Sequence, residues 1–202
     1  MPPRADAPAD AHLVETRTGG TTLVDGGFLE LRRDDVRLPD GSAATREYIH
    51  HPGAVAIVPV LDDGRLVLVR QHRYPVGKVL LEWPAGKLEP GEDQWCCAQR
   101  ELLEETGYSA REWAFCGEIH NAAAYSTESI WLWFARGLVA GAAQPDQGEF
   151  VETVLHTEAE LEALDLQGRL LDVKTLIGLR WLQQVRRGAR VMQWQTPAQQ
   201  GR

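Results

Sequence analysis

The sequence has few cysteines, and their arrangement indicates neither a disulfide framework nor a zinc site. The three are Cys96, Cys97 and Cys116, an odd number of which two are adjacent. Disulfide-rich folds and structural zinc sites use paired cysteines at characteristic spacings. The set suits a reducing compartment, and we expect the protein in the cytoplasm.

Long apolar runs are also missing. No stretch approaches the roughly 18 to 20 apolar residues that a membrane-spanning helix needs. The opening MPPRADAPADAH lacks the apolar segment of a signal peptide. We therefore expect no membrane partner. Residues 1–12 are rich in proline, alanine and aspartate, and we expect a disordered N-terminal extension there.

Positive charge is scarce relative to negative charge. The chain has 21 Lys and Arg residues against 29 Asp and Glu residues, a formal net charge of −8 at pH 7. Proteins that bind nucleic-acid polymers concentrate Lys and Arg to neutralise phosphates, so we expect no such partner. A small anionic ligand stays compatible with this charge, because divalent cations can lie between carboxylates and phosphates.

The length of 202 residues and the hydrophobic content of 44% suit one globular domain with short extensions. Between residues 13 and 51, short alternating runs are separated by turn signals, which predicts an N-terminal β unit of two or three antiparallel strands. Residues 52–187 are expected to form the main domain. Residues 188–202 are expected to form a polar C-terminal tail that frays at its end.

Periodicity predicts the elements of the main domain. The clearest feature is a hairpin formed by Ala54–Val60 and Arg65–Arg70. A helix is expected from about Asp93, with an apolar face of Trp95, Ala98 and Leu102 and a stop at Gly107. The remaining predicted strands are Val79–Trp83, Ala114–Ile119, Ile130–Arg136 and Phe150–His156, and the remaining predicted helices are Glu158–Leu164 and Val173–Arg187, with Thr157 and Asp172 as N-caps. This mixture indicates an α+β fold or a layered α/β/α sandwich.

Acidic side chains cluster on the first predicted helix. Glu101 lies three positions before Glu104 and four before Glu105, so the side chains emerge on adjoining parts of one face. Like charges at this spacing repel, and a divalent cation would reverse that penalty. Arg100 can pair with Glu92 or orient one of the glutamates. The alternative interpretation is a solvated charged face, which is the more common role of an isolated cluster.

The spacing over the whole segment favours the functional interpretation. The stretch GKLEPGEDQWCCAQRELLEETGY, from Gly86 to Tyr108, matches the signature of the Nudix hydrolases at every position. Seven fixed letters would coincide roughly once in 10⁸ starting points. The flanking stretches VRQHRYP, LLEWPAGKLEPGE and DVKTLIGLRWL are similar to those of the ADP-ribose pyrophosphatase subfamily, and the resemblance covers residues from about 20 to 187.

This resemblance implies a Nudix fold, an α/β/α sandwich with a mixed central sheet, whose catalytic domain spans residues 52–187. It implies hydrolysis of ADP-ribose to AMP and ribose 5-phosphate, with Mg²⁺ as cofactor and Mn²⁺ as a substitute. It also implies a homodimer that exchanges its N-terminal strands. Two alternatives stay open: hydrolysis of other nucleoside diphosphate sugars or dinucleotides, and a catalytically silent nucleotide-sensing module.

The resemblance also assigns roles to residues. The implied metal ligands are Glu101, Glu104 and Glu105 with the Ala85 carbonyl, and Arg100 is implied in the catalytic set beside them. Gly86, Glu92 and Gly107 have structural roles in the same signature. A glutamate from a later loop would act as general base, for which we favour Glu149 over Glu152, because Glu152 falls within a predicted strand and can simply face solvent.

Four residues are implied in substrate binding: Arg46, Arg73, Glu82 and Glu128. By resemblance, Arg73 contacts the phosphates or the terminal ribose, and Arg46 reaches across the dimer. The alternatives are an exposed strand position for Arg46 and a strand-end position for Arg73.

Two features leave the substrate less certain than the reaction. Phe28, Tyr48 and Trp83 are possible stacking partners for adenine, although an aromatic in a strand is more often part of a core. The subfamily typically has a proline where this chain has Ala124. That departure is why other nucleoside diphosphate sugars remain in consideration.

Overall fold

The computed structural model describes residues 10–27, 29–144 and 148–197. The chain divides into two compact units. The first consists of residues 1–52 and 122–128, and the second of residues 53–121 and 129–202. Predictions that fall on residues 1–9, on Phe28 or on residues 198–202 lie outside the described residues.

The first unit contains a three-stranded antiparallel sheet in the order β1-β2-β3. Its strands are β1 (Thr16–Asp25), β2 (Glu30–Arg37) and β3 (Ala43–His50). Asp34 of β2 is buried and binds Arg17 at 2.8 Å and the Tyr48 hydroxyl at 2.9 Å, which ties all three strands together. The predicted antiparallel strands are therefore confirmed.

The second unit is built on a seven-stranded sheet. Its strands are β4 (Ala54–Val60), β5 (Leu66–Arg73), β6 (Lys78–Glu82), β7 (Ala85–Lys87), β8 (Tyr108–Ile119), β9 (Ile130–Ala140) and β10 (Val151–His156). The main path runs β10-β5-β4-β9-β8, with β6 beside β5 and β7 beside β4. The β4–β9 pair is parallel and the other pairs are antiparallel, so the sheet is mixed, as expected.

Three helices cover this sheet: α1 (Gln94–Thr106), α2 (Glu158–Leu166) and α3 (Val173–Arg186). Strand β4 separates two cores because alternate residues of a strand point to opposite faces. Ala56 and Val58 pack in a cluster with residues of α2 and α3. Val55 and Ile57 pack in a second cluster with residues of α1. This arrangement confirms the α/β/α sandwich.

The predicted hairpin is present, but its two strands diverge. Strands β4 and β5 pair at Val60 and Leu66, beside their turn. Further along, β5 pairs with β6 while β4 pairs with β7. Strand β7 is not among the predicted strands, because Pro84 and Gly86 are loop signals and these three residues form a strand only through their pairing with β4. The link from β6 to β7 thus lies where the hairpin opens.

The segment after α3 differs from the polar tail that was expected. Gln195 exchanges two backbone hydrogen bonds of 2.9 Å with Trp113 of β8. The guanidinium of Arg136 lies 3.9 Å from the ring centroid of Trp194. Cation–π contact and strand pairing therefore fix the segment through residue 195, and the tryptophan was the overlooked signal. Among the described residues, no helix is long and apolar enough to cross a membrane.

Candidate functional site

Helix α1 is fixed at both ends by local signals in the sequence. The Asp93 side chain accepts hydrogen bonds from the backbone N–H groups of Trp95 and Cys96 at 2.8 and 3.0 Å. At the other end, Gly107 adopts the left-handed conformation, with φ of 73°, and its N–H binds the Leu103 carbonyl. The predicted start, apolar face and stop of the helix are confirmed. These contacts fix the ends of the helix, and the packing of its apolar face into the core sets the direction of its acidic face.

Two of the acidic side chains are buried between α1 and β7. Glu105 is 3% exposed and accepts a 3.0 Å hydrogen bond from the Ala85 N–H. Glu101 is 9% exposed, and a Cβ added to Gly86 would lie 1.9 Å from its Cδ. Only a residue without a side chain allows the strand to approach the carboxylate this closely, which is a physical reason for the glycine.

Arg100 joins the acidic groups into one network. Its Nε and Nη2 donate to the two oxygens of Glu92 at 2.9 and 2.8 Å. Its Nη1 donates to Glu101 at 2.8 Å and to Glu104 at 2.9 Å. The two roles that the sequence left as alternatives therefore occur together. These hydrogen bonds lower the pKa of Glu92 to about 2.

The chemistry of the donor set fits a hard divalent cation. Within the described part of the chain, one carboxylate oxygen of each of Glu101, Glu104 and Glu105 has no hydrogen bond. None of these three oxygens is among the fully buried polar atoms that lack a partner. Burial raises the pKa of Glu101 to about 7 and that of Glu105 to about 8. A cation with oxygen ligands would hold both carboxylates ionised.

These carboxylates are not preassembled around a cation. Across residues 10–27, 29–144 and 148–197, no three acidic, histidine or cysteine side chains form a ready metal site. Glu101 and Glu104 both turn one oxygen toward Nη1 of Arg100 instead. The ligand roles of the three glutamates and of the Ala85 carbonyl stay predictions.

The two candidates for the loop base occupy different surroundings. Glu149 accepts a 3.1 Å hydrogen bond from Nε2 of Gln71, and its charge adds to the effect of burial in raising the pKa of Glu101 and Glu105. Glu152 pairs with Arg70 at 2.6 Å, and both side chains are exposed. The position of Glu149 near the acidic helix favours it over Glu152.

Arg73 is held by a buried carboxylate. Its Nε and Nη2 donate to the two oxygens of Glu82 at 2.8 and 2.7 Å, and its side chain remains 41% exposed. Lys174 of α3 also binds Glu82, and it binds Asp172 at 3.0 Å. Burial alone would raise the pKa of Glu82, but Arg73 and Lys174 lower it to about 2.

Glu82 lies in the interior of the protein, and its predicted contact with substrate stays a prediction. Glu82 is 1% exposed, and both of its oxygens accept charge-assisted hydrogen bonds from the protein. Trp83, considered as a possible stacking partner, is fully buried, and its Nε1 donates to the Thr175 carbonyl at 3.0 Å. Both residues support the site from within the core.

The other two predicted substrate residues belong to the first unit. Arg46 pairs with Glu15, and the Glu128 carboxylate lies 3.7 Å from Nε2 of His51. Arg73 belongs to the second unit. Their predicted contacts with substrate stay predictions.

Sequence reasoning assigned no role to Lys174 or Gln71. A signal for Lys174 was present, because it stands four residues before Gly178 and eight before Leu182, on the face that packs inward. Gln71 had no comparable signal. Its significance depends on pairing between β5 and β10, which sets it opposite Val151.

Comparison with known proteins agrees with this geometry. Residues 50–175 match the NUDIX domain family, so the chain belongs to that family. Residues 15–49 match the nucleoside diphosphate sugar hydrolase N-terminal domain. The Nudix resemblance drawn from the sequence is thus confirmed.

Relatives cover most of the chain. It is 38% identical over 174 residues to the methanol dehydrogenase activator of Bacillus methanolicus, covering 85% of this chain and 94% of that protein. It is 35% identical over 163 residues to the ADP-ribose pyrophosphatase of Bacillus subtilis (strain 168), covering 80% and 88%. A crystal structure of an ADP compounds hydrolase aligns with a TM-score of 0.77 at 23% identity, covering 88% of this chain and 97% of that one. The last similarity confirms the fold.

Proposed function

We propose that this protein hydrolyses the diphosphate bond of ADP-ribose in a Mg²⁺-dependent reaction that yields AMP and ribose 5-phosphate. The observation that carries the proposal is the acidic face of α1. Arg100 holds Glu101 and Glu104 by hydrogen bonds, and Ala85 and Gly86 of β7 lie directly against Glu105 and Glu101. The similarity to an ADP-ribose pyrophosphatase over 80% of the chain supports the choice of substrate.

The proposed cation is Mg²⁺, with Mn²⁺ as a substitute, held by Glu101, Glu104, Glu105 and the Ala85 carbonyl. When bound, it supplies charge neutralisation at the diphosphate and makes a water more acidic. The Ala85 N–H fixes Glu105, and Arg100 restricts the other two glutamates, so their rotation toward a cation starts from defined positions.

The remaining residues bind substrate and move a proton. Water attacks one phosphorus, the bond to the bridging oxygen breaks, and the bridging oxygen leaves on the other phosphate. We assign Glu149 as the base that accepts the proton of the attacking water, because Gln71 holds it near the acidic helix. Arg73 offers a half-buried guanidinium to the phosphates.

We further propose a cytoplasmic homodimer in which residues 13–51 contribute Arg46 to the partner's substrate site, beside Glu128, while residues 52–187 form the catalytic domain. The match of residues 15–49 to the N-terminal domain of nucleoside diphosphate sugar hydrolases supports a role of this unit in substrate recognition. The same match supports a second candidate, hydrolysis of other nucleoside diphosphate sugars. Ala124, in place of the subfamily proline, points the same way.

One experiment tests reaction and substrate together. The purified full chain is incubated with ADP-ribose, several nucleotide sugars, NADH and diadenosine polyphosphates, with Mg²⁺, with Mn²⁺ and with excess chelator, and the products are separated. We expect AMP and ribose 5-phosphate in equal amounts from ADP-ribose, and no products with the chelator. A faster reaction with another nucleotide sugar would favour the second candidate. Binding of ADP-ribose without cleavage under either metal would indicate a nucleotide-sensing module instead.

A further inference from the structure

A buried lysine lies behind the arginine proposed to bind the phosphates. Lys174 is 8% exposed, and its ammonium binds Glu82 and Asp172. Burying ionised groups costs several kcal/mol per ion, and well-packed apolar side chains are often at least as stable in their place. Stability alone therefore gives little reason for a lysine at this position. Its electrostatic effect on Glu82, and through Glu82 on Arg73, gives another reason.

The position of this ammonium is fixed by the start of α3. Asp172 accepts hydrogen bonds from the N–H and hydroxyl of Thr175 at 2.9 and 2.6 Å. The Thr175 hydroxyl accepts from the Trp83 N–H at 2.9 Å, next to Glu82 in the chain. Gly178 lets the Trp83 indole approach so closely that an added Cβ would lie 2.3 Å from its Nε1. The helix start and the end of β6 are therefore held together.

Lys174 changes the net charge of the group of residues behind Arg73. The connected group of Glu82, Asp172, Lys174 and Arg73 has two negative and two positive charges, so its net charge is zero. Removing the ammonium leaves a net charge of −1 behind the guanidinium. Glu82 would then form its ion pair with Arg73 only. The remaining three residues, with their net charge of −1, would repel an incoming diphosphate at short range.

We propose that Lys174 is a positioning residue for substrate binding: by neutralising and anchoring Glu82 from behind, it keeps the guanidinium of Arg73 oriented and available to the phosphates. The inference rests on the proposed function for the role of Arg73 itself. It assigns Lys174 no contact with substrate and no part in proton transfer.

The test is a double-mutant cycle between Lys174→Met and Arg73→Ala, with steady-state kinetics on ADP-ribose and Mg²⁺. Lys174→Met should raise KM about tenfold and change kcat less than about threefold, because binding and not chemistry is affected. In the Arg73→Ala background the same substitution should change KM less than about twofold, since the residue acts through Arg73.

Two further variants separate positioning from general effects. Lys78→Met removes an exposed positive charge from β6, opposite Arg73 in the β5–β6 ladder, and should leave KM within about twofold of the wild type. Lys174→Arg keeps the charge and should restore most of the affinity. Thermal unfolding monitors the fold, and if Lys174→Met does not fold, Lys174→Gln takes its place in the cycle with the same expectations.

Calorimetric titration with ADP separates failure of this inference from failure of the proposed function. If the wild type binds ADP but does not cleave ADP-ribose, the proposed function is wrong. The double-mutant cycle is then calculated from the Kd of each variant for ADP in place of KM. Equal effects of Lys174→Met in both backgrounds would overturn the positioning role. So would a loss of kcat at unchanged KM.

Discussion

Substitution of Gly86 by alanine tests the closeness of β7 and α1. The added Cβ would lie 1.9 Å from both Cδ and Oε1 of Glu101 and 2.3 Å from Oε2. Contacts of a Cβ below 3.0 Å essentially never occur and ordinary contacts begin at 3.4 Å, so one of the two groups must move by at least 1.1 Å (3.0 − 1.9) and by 1.5 Å (3.4 − 1.9) to reach an ordinary contact. Strand β7 is paired with the buried strand β4 and cannot retreat easily. The carboxylate of Glu101 must therefore move.

The expected losses differ for stability and for activity. Displacing Glu101 breaks its 2.8 Å hydrogen bond to Arg100, and such charge-assisted bonds contribute about 1.5–3 kcal/mol. The variant should therefore unfold at a lower temperature but still fold. A misplacement of about 1 Å in a catalytic site can cost about 100-fold in rate, so kcat on ADP-ribose should fall by at least that factor.

The assay combines initial rates of AMP release over a range of Mg²⁺ concentrations with thermal unfolding. Gly86→Ala is compared with Glu101→Ala and with the double variant. The double variant should match Glu101→Ala in rate, because the methyl group acts only by displacing that carboxylate. Near-normal kcat and Mg²⁺ dependence in Gly86→Ala would refute this reasoning, as would a double variant tenfold slower than Glu101→Ala.

Three further outcomes are expected. Glu105→Gln should keep the fold and lower kcat by at least about 100-fold, and a variant that retains most of its activity would rule out the ligand role. Gln71→Leu should lower kcat about tenfold with little change in KM, because Glu149 loses its hydrogen bond; a change confined to KM would contradict this. Glu82→Gln should cost about 3 kcal/mol at pH 7 by urea unfolding, since the pKa of Glu82 is about 2 against an ordinary 4.5. This contribution is complete above pH 4.5 and is lost as the pH falls toward 2, so a cost that is the same at pH 7 and pH 3 would show that ionisation of Glu82 is not its source.

Features set by neighbouring residues were predictable from the sequence. Helix α1 begins at the Asp93 cap and ends at Gly107 as expected, because capping and the left-handed glycine are local properties. The same is true of Asp172 as the N-cap of α3. The spacing of the acidic residues also identified Glu101 and Glu105 correctly as members of one cluster.

Features that depend on tertiary packing were not predictable in this way. The sequence does not show that Arg73 and Lys174 both form ion pairs with Glu82. Strand β8 begins at Tyr108 and not at Ala114, because pairing with β9 extends it through polar residues. The sequence predicted helix α3 but not which of its side chains are buried.

Because β4 and β5 diverge beyond their turn, a change in the length of that turn would affect residues far from it. The residues that follow β5 return along β6 and then cross to β7. Arg73 therefore lies on one strand of the opening hairpin, and Gly86 lies on β7, which pairs with the other strand. An insertion in the turn at residues 61–65 would alter the angle between these arms. It would thereby shift Arg73 and the acidic face of α1 relative to each other, although neither lies in the turn.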